Sequence, residues 1–203
     1  MLSSKLNLRH TDAWIGIDNV DESDIESIFF KRKSELMLGG TVPEAFGMGL
    51  NDMYSWIWLP SADPRQVLEM RNAKHVRSNM RNSAFIAMET HSEFLEEYAS
   101  LPRIDFVLIN KEFGHYIGGM NICLTNNGFE IGKYIGNESY LGKGLSYGMA
   151  KSFLEFFKRN FSGIESVYAI TKIENFPNIN LNFKLGFKII QRVNIDYWLM
   201  VLR

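Results

Sequence analysis

Gly142, Lys143 and Gly144 stand directly ahead of a run, LSYGMAKSFLEFFKRNF, whose apolar residues fall at helical spacing. Glycine at the mouth of a helix costs backbone entropy, a cost readily tolerated where something must approach the main chain. The first amides of a helix have no internal acceptor and lie at its positive end. A Gly-x-Gly loop there can hold a phosphate, with Lys143 as an added cation. A glycine turn that merely tightens a strand-to-helix connection fits the same three residues. Neither the dinucleotide-binding glycine fingerprint nor a GxxxxGK[ST] phosphate loop is present. Other groups able to move protons are Glu130, in the strand-like segment FEIGKYIG, and the histidines His91 and His115. Each has a plainer alternative: a strand-edge carboxylate paired across a hairpin, or a histidine that caps or packs.

The elements that must position these groups are legible in part. MYSWIWLP, from Met53 to Pro60, reads as a strand stopped by proline. A helix follows, with Asp63 as N-cap, Pro64 at its first position and Gln66 closing a capping box. KHVRSNM reads as a short continuation. A second helix, THSEFLEEYASLP, is expected with Thr90 as its N-cap, Glu93 closing the capping box and Pro102 just past its end. Ile104 to Asn110, His115 to Leu124 and Phe129 to Ile135 read as a three-strand meander, with a hairpin turn at Asn126, Asn127 and Gly128. Leu145, Met149, Phe153, Phe156 and Phe157 mark the next helix. A strand, ESVYAITKI, a helix ending at Gly186 and one or two closing strands complete the chain. The first 52 residues form an N-terminal extension that packs on a main domain of residues 53–203, with a short strand in AWIGID and a helix starting near Asp21 or Ser23.

Composition sets the outer limits. With 46% hydrophobic residues and a formal net charge of −1 over 203 residues, the chain has an ordinary globular profile. That balance argues against nucleic acid or an anionic membrane as partner. The single cysteine, Cys123, excludes an internal disulfide and reads as a packed core thiol. The four histidines are scattered, so no metal site is expected. No transmembrane run or signal-peptide core is visible, which points to a cytoplasmic protein.

The order of elements, the loop SYLGKG and the downstream ENFPNINLNFKLGFK together resemble the GNAT acetyltransferase superfamily from Met53 onward. The resemblance implies an α/β fold with a mixed, mostly antiparallel sheet, and transfer of acetyl from acetyl-CoA to a primary amine. It implies that main-chain groups of Leu141, Gly142, Lys143, Gly144 and Leu145 hold the pyrophosphate. Tyr134, Ile135 and Gly136, on a splayed strand, would contact the acetyl-CoA arm. Asn175 and Asn178 match the family's downstream asparagine motif and are carried over as cofactor-binding. The Gly-Lys-Gly core is similar to the ribosomal-protein N-terminal acetyltransferases. The segment from Val67 to Tyr98 is similar to the acetyltransferases of UDP-linked 4-amino-4,6-dideoxy sugars. That likeness implies a nucleotide-linked amino sugar as acceptor, with Arg77, Asn82, Glu89 and His91 in its site and Arg81 and Lys74 suited to a diphosphate.

Glu130, as in several members of the family, would take the amine's proton directly or through water, with His91 and His115 as rivals; Tyr134 or Tyr140 would serve the leaving thiolate. Two positions depart from the family pattern. Ser139 stands where the loop carries Gln or Arg, and Asn182 stands where many members carry a tyrosine acid. These departures leave open a CoA-binding module without catalysis. A protein or peptide amine is the alternative acceptor, and a homodimer is a compatible assembly. Tyr147 and Phe183 are expected in the core.

Overall fold

The computed structural model describes residues 22–47, 52–161 and 166–203. The expected strand in AWIGID and Asp21 lie outside the described residues. A helix, α1, runs over Glu22–Leu38. The strand predicted from aromatic and β-branched residues is β1, Tyr54–Trp58. Three helices follow: α2 (Pro64–Asn72), α3 (Lys74–Arg77) and α4 (Met88–Glu96). The meander is β2 (Arg103–Asn110), β3 (Tyr116–Thr125) and β4 (Gly128–Ile135). Then come α5 (Leu145–Asn160), β5 (Val167–Lys172), α6 (Phe176–Lys184), β6 (Lys188–Arg192) and β7 (Tyr197–Leu202).

Local chemistry explains most boundaries. Asp63 caps α2: its carboxylate accepts from the Arg65 amide at 2.9 Å and from Gln66 Nε2 at 3.3 Å, and Pro64 sits in the first turn. The β3–β4 hairpin turns where Gly128 takes φ +102°. The expected start of α4 at Thr90 is corrected. The N-cap is Ala87, three residues earlier, the helix begins at Met88, and no side chain caps it. The cause lies upstream, where Asn72 clamps Ile86 by both its amide and its carbonyl, at 2.9 and 2.8 Å. The chain is therefore already fixed at residue 86 and enters the helix at once.

The seven strands lie in the order β1-β2-β3-β4-β5-β7-β6, all neighbours antiparallel except β4 and β5. Side chains alternate across such a sheet. One face carries Trp56, Phe106, Ile131 and Phe129, packed against Phe153, Phe156 and Phe157 of α5. The other carries Val107 and Tyr134 against Val67 and Met70 of α2. Helix α1 belongs to the first of these cores. Phe29 packs on Phe129 and Phe161, and Ile25 and Leu36 are buried beside it. Lys33 of α1 is almost fully buried, and its ammonium donates to the carbonyls of Tyr98 and Leu101. That bond ties α1 to the turn between α4 and β2. Tyr147 and Phe183, expected in the core, are instead 45% and 48% exposed; each lies on the outward side of its helix.

Candidate active site

Between β4 and β5 the sheet opens. Strand β4 is fully laddered to β3, from Gly118–Ile135 to Thr125–Gly128, whereas its parallel pairing with β5 registers at Glu130 and Tyr168. Beyond that pair the two strands part. The chain leaves β4 through a single turn at Glu138–Tyr140 and reaches α5 by the glycine loop.

The glycine loop has the properties an anion site needs. Gly142 and Gly144 adopt φ +72° and +71°, in the left-handed region that disfavours side chains, and a Cβ at either would meet open space. Gly144 occupies the N-cap position of α5, and no side chain caps the helix. Among the described residues no acceptor meets the amides of Gly142, Lys143 or Gly144. Lys143 holds its ammonium over the Tyr140 ring, 5.1 Å from the centroid. Leu141 is exposed, whereas the Leu145 side chain is buried in the core, so Leu145 can offer a ligand only its main chain. Ser139, off the family pattern, is held by the Asn137 carboxamide through its own amide at 3.1 Å.

On β4 the predicted main-chain contributors differ in availability. The Gly136 amide donates to the Ile117 carbonyl at 2.8 Å, so it is already engaged. The Ile135 carbonyl lies 2.9 Å from His75 Nε2, whose Nδ1 stands 3.2 Å from Glu138. His75 was missed by sequence reasoning, because nothing local links α3 to the end of β4. The Tyr134 ring lies across Gly119, where a Cβ would come within 3.0 Å of it, and under the Arg71 guanidinium, 5.1 Å from the centroid. Burial pushes the Tyr134 phenol up to about 12, so at neutral pH it is a hydrogen-bond donor. Tyr140 is buried in the core, where its hydroxyl meets His115 Nδ1 at 3.1 Å. An open pocket of about 240 Å³ lies between α2 and the β3–β4 end, with Gln66, Glu69, Met70, His115, Gly136 and Asn137 among its lining residues.

The remaining candidates lie on or beneath the segment that crosses from α3 to α4. Arg81 reaches from it to Glu130 at 2.5 Å, and the Tyr168 hydroxyl donates to the other Glu130 oxygen at 3.3 Å. Lys172 of β5 donates to the Ser78 carbonyl at 3.2 Å. These two bonds strap the segment across the parting of β4 and β5. Arg77 donates to the Asn72 and Ser83 carbonyls at 3.0 Å each, and Asn82 closes a turn onto the Ala84 amide. Both are therefore committed to shaping the segment. Glu89 is exposed in the first turn of α4. His91 is buried, with its ring stacked on Phe94 and its Nε2 without a partner. Burial, helped by the Arg71 charge, holds it below the usual histidine range, which keeps it neutral.

Asn175 caps α6 by accepting from the Asn178 amide at 3.2 Å, and the Asn178 side chain donates to Thr171 of β5 at 3.2 Å. Asn182 is fully buried, donates to Thr171 and accepts from Lys133. Lys133 went unnoticed in the sequence, although a signal was there: it falls in phase with Phe129, Ile131 and Ile135, on the apolar face of β4. Cys123, expected as a packed core thiol, is only half-buried on β3 and lies outside the core clusters; what burial it has raises its thiol. Among the described residues no cluster of three His, Cys, Asp or Glu could hold a metal, and no helix is long and apolar enough to cross a membrane.

Comparison with known proteins agrees with this geometry. The family model described as an acetyltransferase (GNAT) domain matches residues 51–188. No curated protein matches the chain in sequence. Among solved structures, the spermidine N-acetyltransferase of Vibrio cholerae, in complex with CoA and spermine, is similar at TM-score 0.65 and 16% identity, over 75% of this chain and 96% of that one. An aminoglycoside acetyltransferase in complex with coenzyme A is similar at TM-score 0.60 and 16% identity, over 73% and 94%. A GNAT acetyltransferase of Bacillus anthracis is similar at TM-score 0.63 and 16% identity, over 80% and 98%. With a parted sheet, an uncapped glycine loop and a family match over most of its length, the chain belongs to the GNAT family of acetyl-CoA-dependent N-acetyltransferases.

Proposed function

We propose that this chain acetylates the primary amine of a small molecule, with a nucleotide-linked amino sugar as first acceptor. The observation that carries the acetyl-CoA half is the row of amides at Gly142, Lys143 and Gly144, without acceptors among the described residues, at the positive end of α5. The pyrophosphate would lie on this loop, and the acyl-bearing arm would run between β4 and β5. Tyr134 and Ile135 would line that arm by their main chain; the engaged amide of Gly136 limits its part to close approach. Leu141 and Leu145 would flank the loop, and Asn175 and Asn178 would fix the start of α6 beside it.

The charge on the acceptor side supports an anionic handle on the substrate. Arg71 has no carboxylate partner among the described residues, and Lys172 is held only by a carbonyl. Glu130 is paired with Arg81. A sugar diphosphate suits such a surface better than a polycation. In this reading Glu130 takes the amine's proton, with Arg81 and Arg77 shaping the pocket wall, and Asn82, Glu89 and neutral His91 along it. A cationic polyamine is the second reading, favoured by exposed Glu89 and by the spermidine and aminoglycoside acceptors of the similar structures. The first 52 residues act as an extension whose described helix, α1, supports the core. A homodimer would be built on the outer strand β6, where Ile189 and Ile190 are exposed.

Release of free thiol from acetyl-CoA tests the function directly. The panel holds UDP- and dTDP-linked 4-amino sugars, spermidine, an aminoglycoside and N-terminal peptides. Turnover on the nucleotide sugars is expected. Turnover only on polyamines or peptides replaces the acceptor, and CoA binding with no turnover on any amine leaves a binding module.

A further inference from the structure

We infer that the ammonium of Lys133 receives the coenzyme A thiolate and gives it its proton. The inference rests on the acetyl-CoA reading above and adds a residue to it. Lys133 sits on the stretch of β4 that has already parted from β5, in phase with the buried Phe129, Ile131 and Ile135. A lysine on such a face ordinarily has a carboxylate beside it. None stands within ion-pair distance among the described residues.

The groups that do face Lys133 are uncharged. Its ammonium donates to Asn182 Oδ1 of α6 at 2.5 Å. Asn182 in turn donates to Thr171 of β5 at 3.1 Å and to the Met200 sulfur of β7 at 3.4 Å. The carboxamide holds the ammonium but cannot exchange protons with it. Burial alone, with no neighbouring charge, brings Lys133 from 10.5 down to about 8. That lies close to the ordinary thiol value of about 8.5, so transfer between the two is nearly balanced, the condition under which a general acid works best. A cation without a counter-ion, in the crevice where an anion must appear, is arranged to stabilise the charge that develops.

The step balances as follows. The neutral amine nitrogen bonds to the thioester carbon, the carbon–sulfur bond breaks, and its electron pair leaves on sulfur. Lys133 protonates the sulfur. The proton shed by the amine nitrogen passes to Glu130 and from it to solvent, and solvent recharges the lysine.

The test follows the ultraviolet absorbance of the bound thiolate while CoA is titrated with pH on wild type, K133M and K133R. Calorimetric binding of desulfo-CoA serves as the control. The bound thiol is expected at least about 1 unit below its free value in wild type. K133R should keep that depression yet turn over slowly, since guanidinium does not surrender its proton. K133M should return the thiol to its free value or above, with desulfo-CoA affinity changed less than about threefold. Equal thiol values in wild type and K133M overturn the inference while the acetyl-CoA reading stands. Failure of desulfo-CoA and CoA to bind wild type overturns both. Should K133M not fold, the wild-type titration decides, because an unshifted thiol is incompatible with a cation at the sulfur.

Discussion

The Arg81 guanidinium lies 2.5 Å from the Glu130 carboxylate, although 49 residues separate them. The pair joins the segment between α3 and α4 to the strand that borders the opened sheet. Arg81 is more than half exposed and Glu130 is largely buried. The bond therefore acts on the shape of the acceptor side more than on global stability, since such pairs contribute about 0–1 kcal/mol.

Replacing Glu130 by Gln is expected to lower kcat/KM roughly 10²-fold, the lower end of what a general base contributes, with CoA affinity unchanged. Arg81→Gln should raise the acceptor KM and shift Tm by no more than about 2–4 °C. Steady-state kinetics with calorimetric CoA binding checks both. An E130Q enzyme of full activity reduces Glu130 to an anchor for Arg81.

Gly144→Ala tests the anion loop. A side chain at φ +71° is strained, although it would meet open space. The left-handed conformation costs about 1–2 kcal/mol outside glycine. Either the loop shifts or the strain is carried, and CoA Kd should rise about tenfold with the melting profile nearly preserved. Calorimetry on wild type and G144A reads this.

Phe29→Ala probes the place of α1. The ring packs on Phe129 at 6.0 Å and on Phe161 at 5.5 Å, in the main core. Truncating a buried phenylalanine costs about 3–5 kcal/mol. A loss of that size in denaturant titration makes α1 part of the acetyltransferase core. A loss below about 1 kcal/mol would make it a detachable arm.

Lys33 gives the fold a pH signature. Its burial lowers it from 10.5 to about 8 in the folded chain. Between those values the unfolded chain holds the extra proton, so folding is favoured increasingly as pH rises. Below about pH 8 both states are charged and the slope vanishes. The Tm of wild type relative to K33M should therefore climb from pH 8 towards pH 10 and be flat from pH 6 to 7.5. A flat difference over the whole range would mean that the carbonyls of Tyr98 and Leu101 hold the charged form as well as water does.

The sequence by itself determined the features whose physics is local. Asp63, Pro64 and Gln66 start α2, Asn126 to Gly128 turn the β3–β4 hairpin, and Gly142 and Gly144 supply left-handed backbone at the mouth of α5. Each needs only residues a few positions away, so each was readable, and with the asparagine motif they were enough to indicate the family. The start of α4 was misread because a non-local clamp, Asn72 on Ile86, overrode the capping signal at Thr90.

Tertiary structure alone decided which distant groups meet. Period 2 along β4 placed Lys133 on an apolar face, but only the parting of β4 from β5 and the arrival of α6 brought Asn182 to it. The same holds for His75 at the Ile135 carbonyl, Arg81 at Glu130 and Lys33 at the Tyr98 carbonyl. Side-chain type and spacing encode conformation over a few residues. Partnership across tens of residues is set by strand order and helix docking, which minimise unpaired buried polar groups over the whole chain at once.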